Sequence, residues 1–156
     1  MGHSELIENL ISAVGEDYVH SAHEAMRTYD HDALMIYKGE PGAVVLPSST
    51  EDVSRVMRIC HEADVPVIAR GAGTCLSGGA TPAPGGVLLV TTRMNRIIEV
   101  DYENLLARVQ PGVINIHLSD ETRSNGFHYA PDPSSQMACT IGGNAAENSG
   151  GAHCLK

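Results

Sequence analysis

Val65-Pro66-Val67-Ile68-Ala69-Arg70-Gly71-Ala72-Gly73-Thr74-Cys75-Leu76-Ser77-Gly78-Gly79-Ala80 is the stretch whose reading decides the fold of this chain. A β-branched run ends in Arg-Gly, and the glycines and small hydroxyl residues beyond it leave almost no side-chain bulk over the backbone. Successive amides in such a loop form a concave nest with partial positive charge, so the expected ligand is an anion, above all a phosphate or pyrophosphate. The charge pattern agrees. Between Val65 and Ile98 there is no Asp or Glu, and the charged residues are Arg70, Arg93 and Arg96, in a chain with 19 acidic against 10 basic residues. A net charge of -9 argues against a nucleic-acid partner, whose binding needs many Lys and Arg on phosphates, so the anion is small.

Two common phosphate motifs fail on these residues. Gly71-Ala72-Gly73 begins a G-x-G, but Leu76 stands at the third glycine and no acidic residue for a ribose occurs before Glu99. Gly73 and Gly78 have the spacing of a nucleoside-triphosphate loop, yet Gly79 stands where its Lys must be.

Upstream of the loop, Gly42 to Leu46 reads as a short strand closed by Pro47. Ser48-Ser49-Thr50-Glu51 reads as a capping box opening a helix to about Ala63, with Val53, Val56, Met57 and Cys60 as its apolar stripe. Asp64 and Pro66 end that helix, and Pro66 to Ala69 returns as a second strand, giving a right-handed βαβ unit with Arg70 at a strand's carboxyl end, where ligands collect in α/β sheets. Further upstream, Ser4 to Val14 is an amphipathic helix with Ser4 as N-cap and Gly15 as stop. Tyr18 to Met26 reads as helical and Thr28 to Tyr37 as irregular. His20, His23 and His31 lie there without metal-ligand spacing and read as exposed histidines.

Downstream, Pro82 to Gly86 is a turn cluster and Val87 to Thr91 a strand. Ile97 to Val100 and Leu105 to Val109 form an antiparallel hairpin about Asp101 to Asn104. Pro111-Gly112 interrupts it, Asn115 caps a helix to about Ser124, Asn125-Gly126 ends that helix, and Phe127 to Ala130 is a strand. The class is α+β in two small layers.

The length of 156 residues suits one domain, and 42% hydrophobic residues with a single Phe and no Trp make its core aliphatic. No apolar run has the length of a membrane span and no signal sequence opens the chain, so a cytoplasmic protein is expected. Cys60, Cys75, Cys139 and Cys154 are scattered without a C-x-x-C, which suggests reduced thiols rather than a disulfide framework or zinc knuckle.

Three pieces in order, Arg70 to Ala80, Arg108-Val109-Gln110-Pro111-Gly112-Val113, and Tyr129 to Ser135 running into Cys139-Thr140-Ile141-Gly142-Gly143-Asn144, resemble the FAD-linked oxidases. This is the vanillyl-alcohol-oxidase-like superfamily with a p-cresol-methylhydroxylase (PCMH) type FAD-binding domain, and the resemblance is closest to the glycolate oxidase branch of the 2-hydroxyacid dehydrogenases. It implies a βαβ subdomain followed by part of a second mixed or antiparallel subdomain, incomplete. Residues 1–40 would be an N-terminal helical extension, and residues 41–156 the N-terminal part of the FAD-binding domain, without the substrate domain.

The same resemblance assigns the site. The amides of Arg70, Gly71, Ala72, Gly73, Thr74, Leu76, Ser77, Gly78 and Gly79 would surround the FAD pyrophosphate, with the Thr74 and Ser77 hydroxyls adding hydrogen bonds. Pro111 and Gly112 would flank it, and Pro131, Asp132, Pro133, Ser134 and Ser135 would form a second wall. Thr140, Ile141, Gly142, Gly143 and Asn144 would lie along the isoalloxazine and ribityl chain. Taken alone, each segment has a plainer reading: the first is a surface loop, the second a rigid turn that Asp132 fixes, the third a helix start between breakers. Against the loop reading, six of 16 glycines fall between Gly71 and Gly86, in the acid-free window.

The function that the resemblance implies is that of a flavin-dependent 2-hydroxyacid dehydrogenase in which hydride passes from the substrate 2-carbon to FAD. Electrons then leave for another acceptor or for partner electron-transfer subunits, through which the protein could also associate with a membrane. Thr74 stands where some superfamily members carry a flavin-linking His, so FAD is expected to be noncovalent. His153 beside a flavin could take the hydroxyl proton, but packing is the preferred account, and no catalytic residue is named. Alternatives are a D-lactate dehydrogenase or ether-lipid synthase branch, or a non-catalytic nucleotide-binding fragment.

Overall fold

A computed structural model describes residues 1–154; of the expected domain 41–156, residues 155 and 156 lie outside the described residues. The chain opens with helix α1 (His3–Val14), whose Leu6 and Leu10 are buried. Its N-cap is Gly2, not Ser4: the Glu5 carboxylate reaches back to the Gly2 amide at 3.3 Å, so the first turn closes earlier. Gly15 ends it as expected, at φ 97°. Tyr18 to Met26 is only partly helical. A 3-10 turn (Glu16–Tyr18) leads into strand β1 (Val19–His20), and the short helix α2 (His23–Met26) comes next, with a 3-10 turn at Arg27–Tyr29. Val19 and His20 pair antiparallel with Val45 and Val44, so sheet pairing overrides local helical preference.

Strand β2 (Ala43–Val45), helix α3 (Thr50–Glu62), strand β3 (Val67–Arg70) and strand β4 (Val87–Val90) complete the first layer. The sheet order is β1-β2-β4-β3, with β2, β4 and β3 parallel. The βαβ crossover expected from Gly42 to Ala69 therefore skips a place, and β4 fills the gap between its strands. β2 and β4 are buried on both faces, which is why they read as unbroken apolar runs. One face packs Ala43, Val45, Val87 and Leu89 against Leu6, Leu10, Val56 and Cys60; the other packs Val44, Leu88 and Val90 against Met26 and Tyr29. Met57, expected in the α3 stripe, is 47% exposed, whereas Cys60 is a core residue as expected.

The α3 cap also shifts by one. Ser49 accepts from the Asp52 amide, while Asp52 accepts from the Ser48 amide and hydroxyl at 2.9 and 2.8 Å. The capping pair is Ser49 and Asp52 rather than Ser48 and Glu51. Burial raises the Asp52 pKa, but the bonds from Ser48, Arg55 and Ser49 outweigh it and hold the carboxyl below its ordinary value.

The second layer begins with the antiparallel pair β5 (Ile97–Asp101) and β6 (Leu106–Val109). Asp101 fixes the turn by accepting from the Glu103 and Asn104 amides. Helix α4 (Asn115–Arg123) comes after it, then α5 (Ile141–Glu147). Asn115 is not the cap of α4, since Ile114 holds that place. The fully buried Asn115 side chain instead donates to the Pro131 carbonyl at 2.7 Å, fastening the next turn. Phe127 to Ala130 is not a strand: its backbone is tied to α4 through Thr122 and Ser119, leaving no ladder to join. An isolated bridge between Ile114 and Thr140 brings the start of α5 back to Val113 and Pro111.

Candidate cofactor-binding site

Arg70 is the last residue of β3, and beyond it Gly71 to Ala80 runs as a loop without regular structure over the carboxyl end of the sheet. Gly73 and Gly78 take the left-handed conformation, at φ 75° and 81°, which favours glycine. Among the described residues, no acceptor takes the amides of Gly71, Ala72, Gly73, Thr74, Cys75 or Leu76. Such a row of unengaged donors suits an anionic ligand.

Facing this loop is the start of α5. The Thr140 hydroxyl caps the helix by accepting from the Gly143 amide at 3.2 Å. Glycine is needed at two contacts: a Cβ on Gly71 would overlap the Thr140 hydroxyl, and a Cβ on Gly142 would lie 2.7 Å from the Pro111 Cβ. The glycine loop, the Pro111 turn and the segment from Pro133 to Asn144 therefore meet here. Between them is a cavity of about 740 Å³. Arg70 to Thr74, Leu76, Gly79, Pro111, Pro133 to Ser135, Thr140 and Gly142 to Asn144 all line it. Asn144 is 4% exposed, and both polar atoms of its carboxamide lack a partner among the described residues. A buried amide in that state calls for a ligand or water.

The other expected residues lie just outside. Gly112 donates its amide to Met94 and has no room for a Cβ beside the Thr91 carbonyl, so it packs the second layer on the first. Gly78 makes a turn with Thr81, and Ile141 opens α5. Pro131 receives the Asn115 bond, and Asp132 accepts from both the amide and ring of His153, at 3.2 and 2.5 Å. Hydrogen bonds from His153 hold the Asp132 carboxyl below its ordinary range. Asp132 thus fixes a turn, and His153 packs on it, with the His128 ring edge-on at 5.7 Å.

Two features are invisible in the sequence. Ser77 donates to the Glu147 carboxylate at 2.8 Å and the Cys75 thiol to the same group at 3.2 Å, so a carboxylate from α5 stands on a loop whose own stretch holds none. Arg70 is 9% exposed and its guanidinium donates through Nη1 to the carbonyls of His31 and Ala80, so it serves the scaffold. Nothing in the spacing signals either contact. The four cysteines are free. Among the described residues, no group of three His, Cys, Asp or Glu side chains forms a metal site, and no helix is long and apolar enough to cross a membrane.

A mixed sheet bearing an amide-lined glycine loop, closed by a second layer whose glycine-rich helix faces it, defines an α+β domain built to hold a nucleotide-type anion. Residues 41–156 match the family described as the FAD binding domain, and the chain belongs to that family. Its cofactor is FAD, and the glycine cradle, free amides and unpaired Asn144 fit one. The chain is 49% identical over 142 residues to glycolate oxidase subunit GlcD of Escherichia coli (strain K12), covering 91% of this chain and 28% of that protein. It is 40% identical over 134 residues to D-lactate dehydrogenase of Anaerostipes hadrus, covering 85% and 28%. The structure of p-cresol methylhydroxylase with substrate bound matches 94% of the chain and 29% of its own, with a TM-score of 0.80 at 24% identity, a likeness of fold. The chain thus has the PCMH-type architecture and spans under a third of these relatives' length.

Proposed function

We propose that this chain is the cofactor-holding part of a flavin-dependent 2-hydroxyacid dehydrogenase of the glycolate oxidase kind. The observation that carries the reading is the row of unengaged amides from Gly71 to Leu76 lining the same cavity as the unpaired Asn144 carboxamide. A diphosphate supplies acceptors for the amides, and Thr74 adds a hydroxyl at the loop. Gly142 and Gly143 let the α5 backbone come close, and Pro133 to Ser135 close the opposite wall. Ser77, Gly78, Gly112, Pro131, Asp132 and Ile141 act one layer back, shaping these walls. Glu147 repels a diphosphate, which assigns that group to the Thr140 end of the loop and leaves the Ser77 end to an uncharged part of the cofactor.

FAD, held by the Gly71 to Leu76 amides and the start of α5, would supply a hydride acceptor. This chain's residues bind and orient, and we assign the carboxylate clamp and the base to residues outside the match. The substrate class rests on relatives whose names specify glycolate and D-lactate, both 2-hydroxy acids. The subunit naming of the glycolate oxidase relative supports electron transfer to partner subunits, and the free cysteines suit a reducing, cytoplasmic setting.

A chimaera in which residues 1–154 replace the matching part of the Escherichia coli relative tests this. Under anaerobic conditions, glycolate or D-lactate should bleach its visible flavin bands. Because the chimaera's substrate part comes from the relative, bleaching reports whether this chain presents FAD to a 2-hydroxy acid, and retained flavin that neither acid bleaches would contradict that role while leaving FAD binding intact.

A further inference from the structure

The loop is held from a side that the family match does not include. Arg70 donates through Nη1 to the His31 carbonyl at 2.7 Å and the Ala80 carbonyl at 3.3 Å, and its cation lies over the Tyr29 ring, 5.7 Å from the centroid. Its Nη2 and Nε sit where a Cβ on Gly73 would be, so the left-handed turn at Gly73 is shaped around the guanidinium. The Gly73 carbonyl accepts from the Ala33 amide at 2.9 Å. Leu34 and Tyr37 stand 3.9 and 3.7 Å from the position of a Cβ on Gly78. The same segment therefore meets the loop at its start, its middle turn and its far turn.

We propose that Tyr29 to Tyr37 is a clamp that sets the conformation of the glycine loop, with Arg70 and Asp32 as its positioning residues. A guanidinium stripped of water is stable only where carbonyls, an aromatic face and a counter-charge replace the solvent. The carbonyls bond it directly, the Tyr29 ring lies within cation–π range, and Asp32 supplies the counter-charge from beyond ion-pair distance. Asp32 is 2% exposed; its Oδ1 accepts from the Leu34 amide at 3.0 Å, and its Oδ2 has no partner among the described residues. Burial pulls the Arg70 pKa below its ordinary value, and Asp32, Tyr29 and Asp30 offset part of that fall. Lysine cannot replace the arrangement, because a single ammonium lacks the planar fork that reaches two carbonyls while lying on a ring. Any effect of the clamp on FAD rests on the proposed flavin-binding function; the clamp itself does not.

Trypsin detects the clamp without any cofactor, because cleavage after residue 70 requires the loop to open locally and release the side chain. In the purified chain, fragments from Arg108 and Arg123, whose side chains are 73% and 72% exposed, should appear before any cut after Arg70. Asp32→Asn keeps an acceptor for the Leu34 amide and removes only the charge; Arg70→Lys keeps a trypsin site and removes the fork. Each should raise cleavage after residue 70 by roughly tenfold relative to cleavage after Arg123. Cleavage after residue 70 that is unchanged in both variants, or that rises only in step with the other sites, would overturn the proposal.

Discussion

Gly73 carries two demands at once, a positive φ and a guanidinium in the place of its Cβ. Gly73→Val should abolish flavin retention in the chimaera with little loss of helix content, measured by bound flavin and circular dichroism together. Gly78→Val strains the backbone but meets only ordinary contacts, so its effect on flavin should be smaller. Thr74 lines the cavity with a hydroxyl that is a poor nucleophile at neutral pH, so acid precipitation should leave the flavin in the supernatant. Asp132 offers a pH test. Its folded pKa lies below the ordinary 3.8, so the His153 contact stabilises fully above that value and is lost as pH falls through the folded one. Urea midpoints of the native protein and Asp132→Asn should therefore differ at about pH 6 and converge as the pH is lowered below 3.8. The glycines and the Pro-Asp-Pro-Ser turn were legible because their demands are local. The Glu147 contacts and the Arg70–His31 bond were not, since they join residues 39 to 72 positions apart.

At the scale of elements, α3 shows how a local rule can be right in kind and off by one. Three consecutive hydroxyl residues, Ser48, Ser49 and Thr50, precede two acids, Glu51 and Asp52, and the backbone alone chooses the pair. Ser49→Ala should cost about 1 kcal/mol by urea denaturation, the usual loss for an N-cap hydroxyl. Thr50→Ala should cost far less, because that residue is already the first of the helix. Amphipathic α1 and α3 could be read from periodicity, and β2, β3 and β4 from short apolar runs, because packing obeys both patterns. The two-residue β1 carries no periodicity, and only its pairing with β2 reveals it. Phe127 to Ala130 failed for the opposite reason, a β-prone composition whose backbone is claimed by α4.

Across the whole molecule, the first layer buries the central strands of its sheet on both faces, while β5 and β6 and the turn between them leave Ile98, Leu105 and Leu106 exposed at 56%, 70% and 64%. This chain spans 28% of each of two relatives, so those proteins carry residues outside the match. Residues 1–156 alone should therefore bind FAD more weakly than the chimaera and show no 2-hydroxyacid oxidation with a dye acceptor, because the groups proposed to hold and deprotonate the substrate lie outside the match. Equal affinity and turnover would place the whole machinery in this chain. We propose that FAD is held between the glycine loop and α5, and the flavin-to-protein ratio of the purified chimaera with and without Gly73→Val tests this most directly. Close to one flavin per chain is expected for the native sequence and almost none for the variant; a Gly73→Val protein that purifies with the native flavin ratio would contradict the claim.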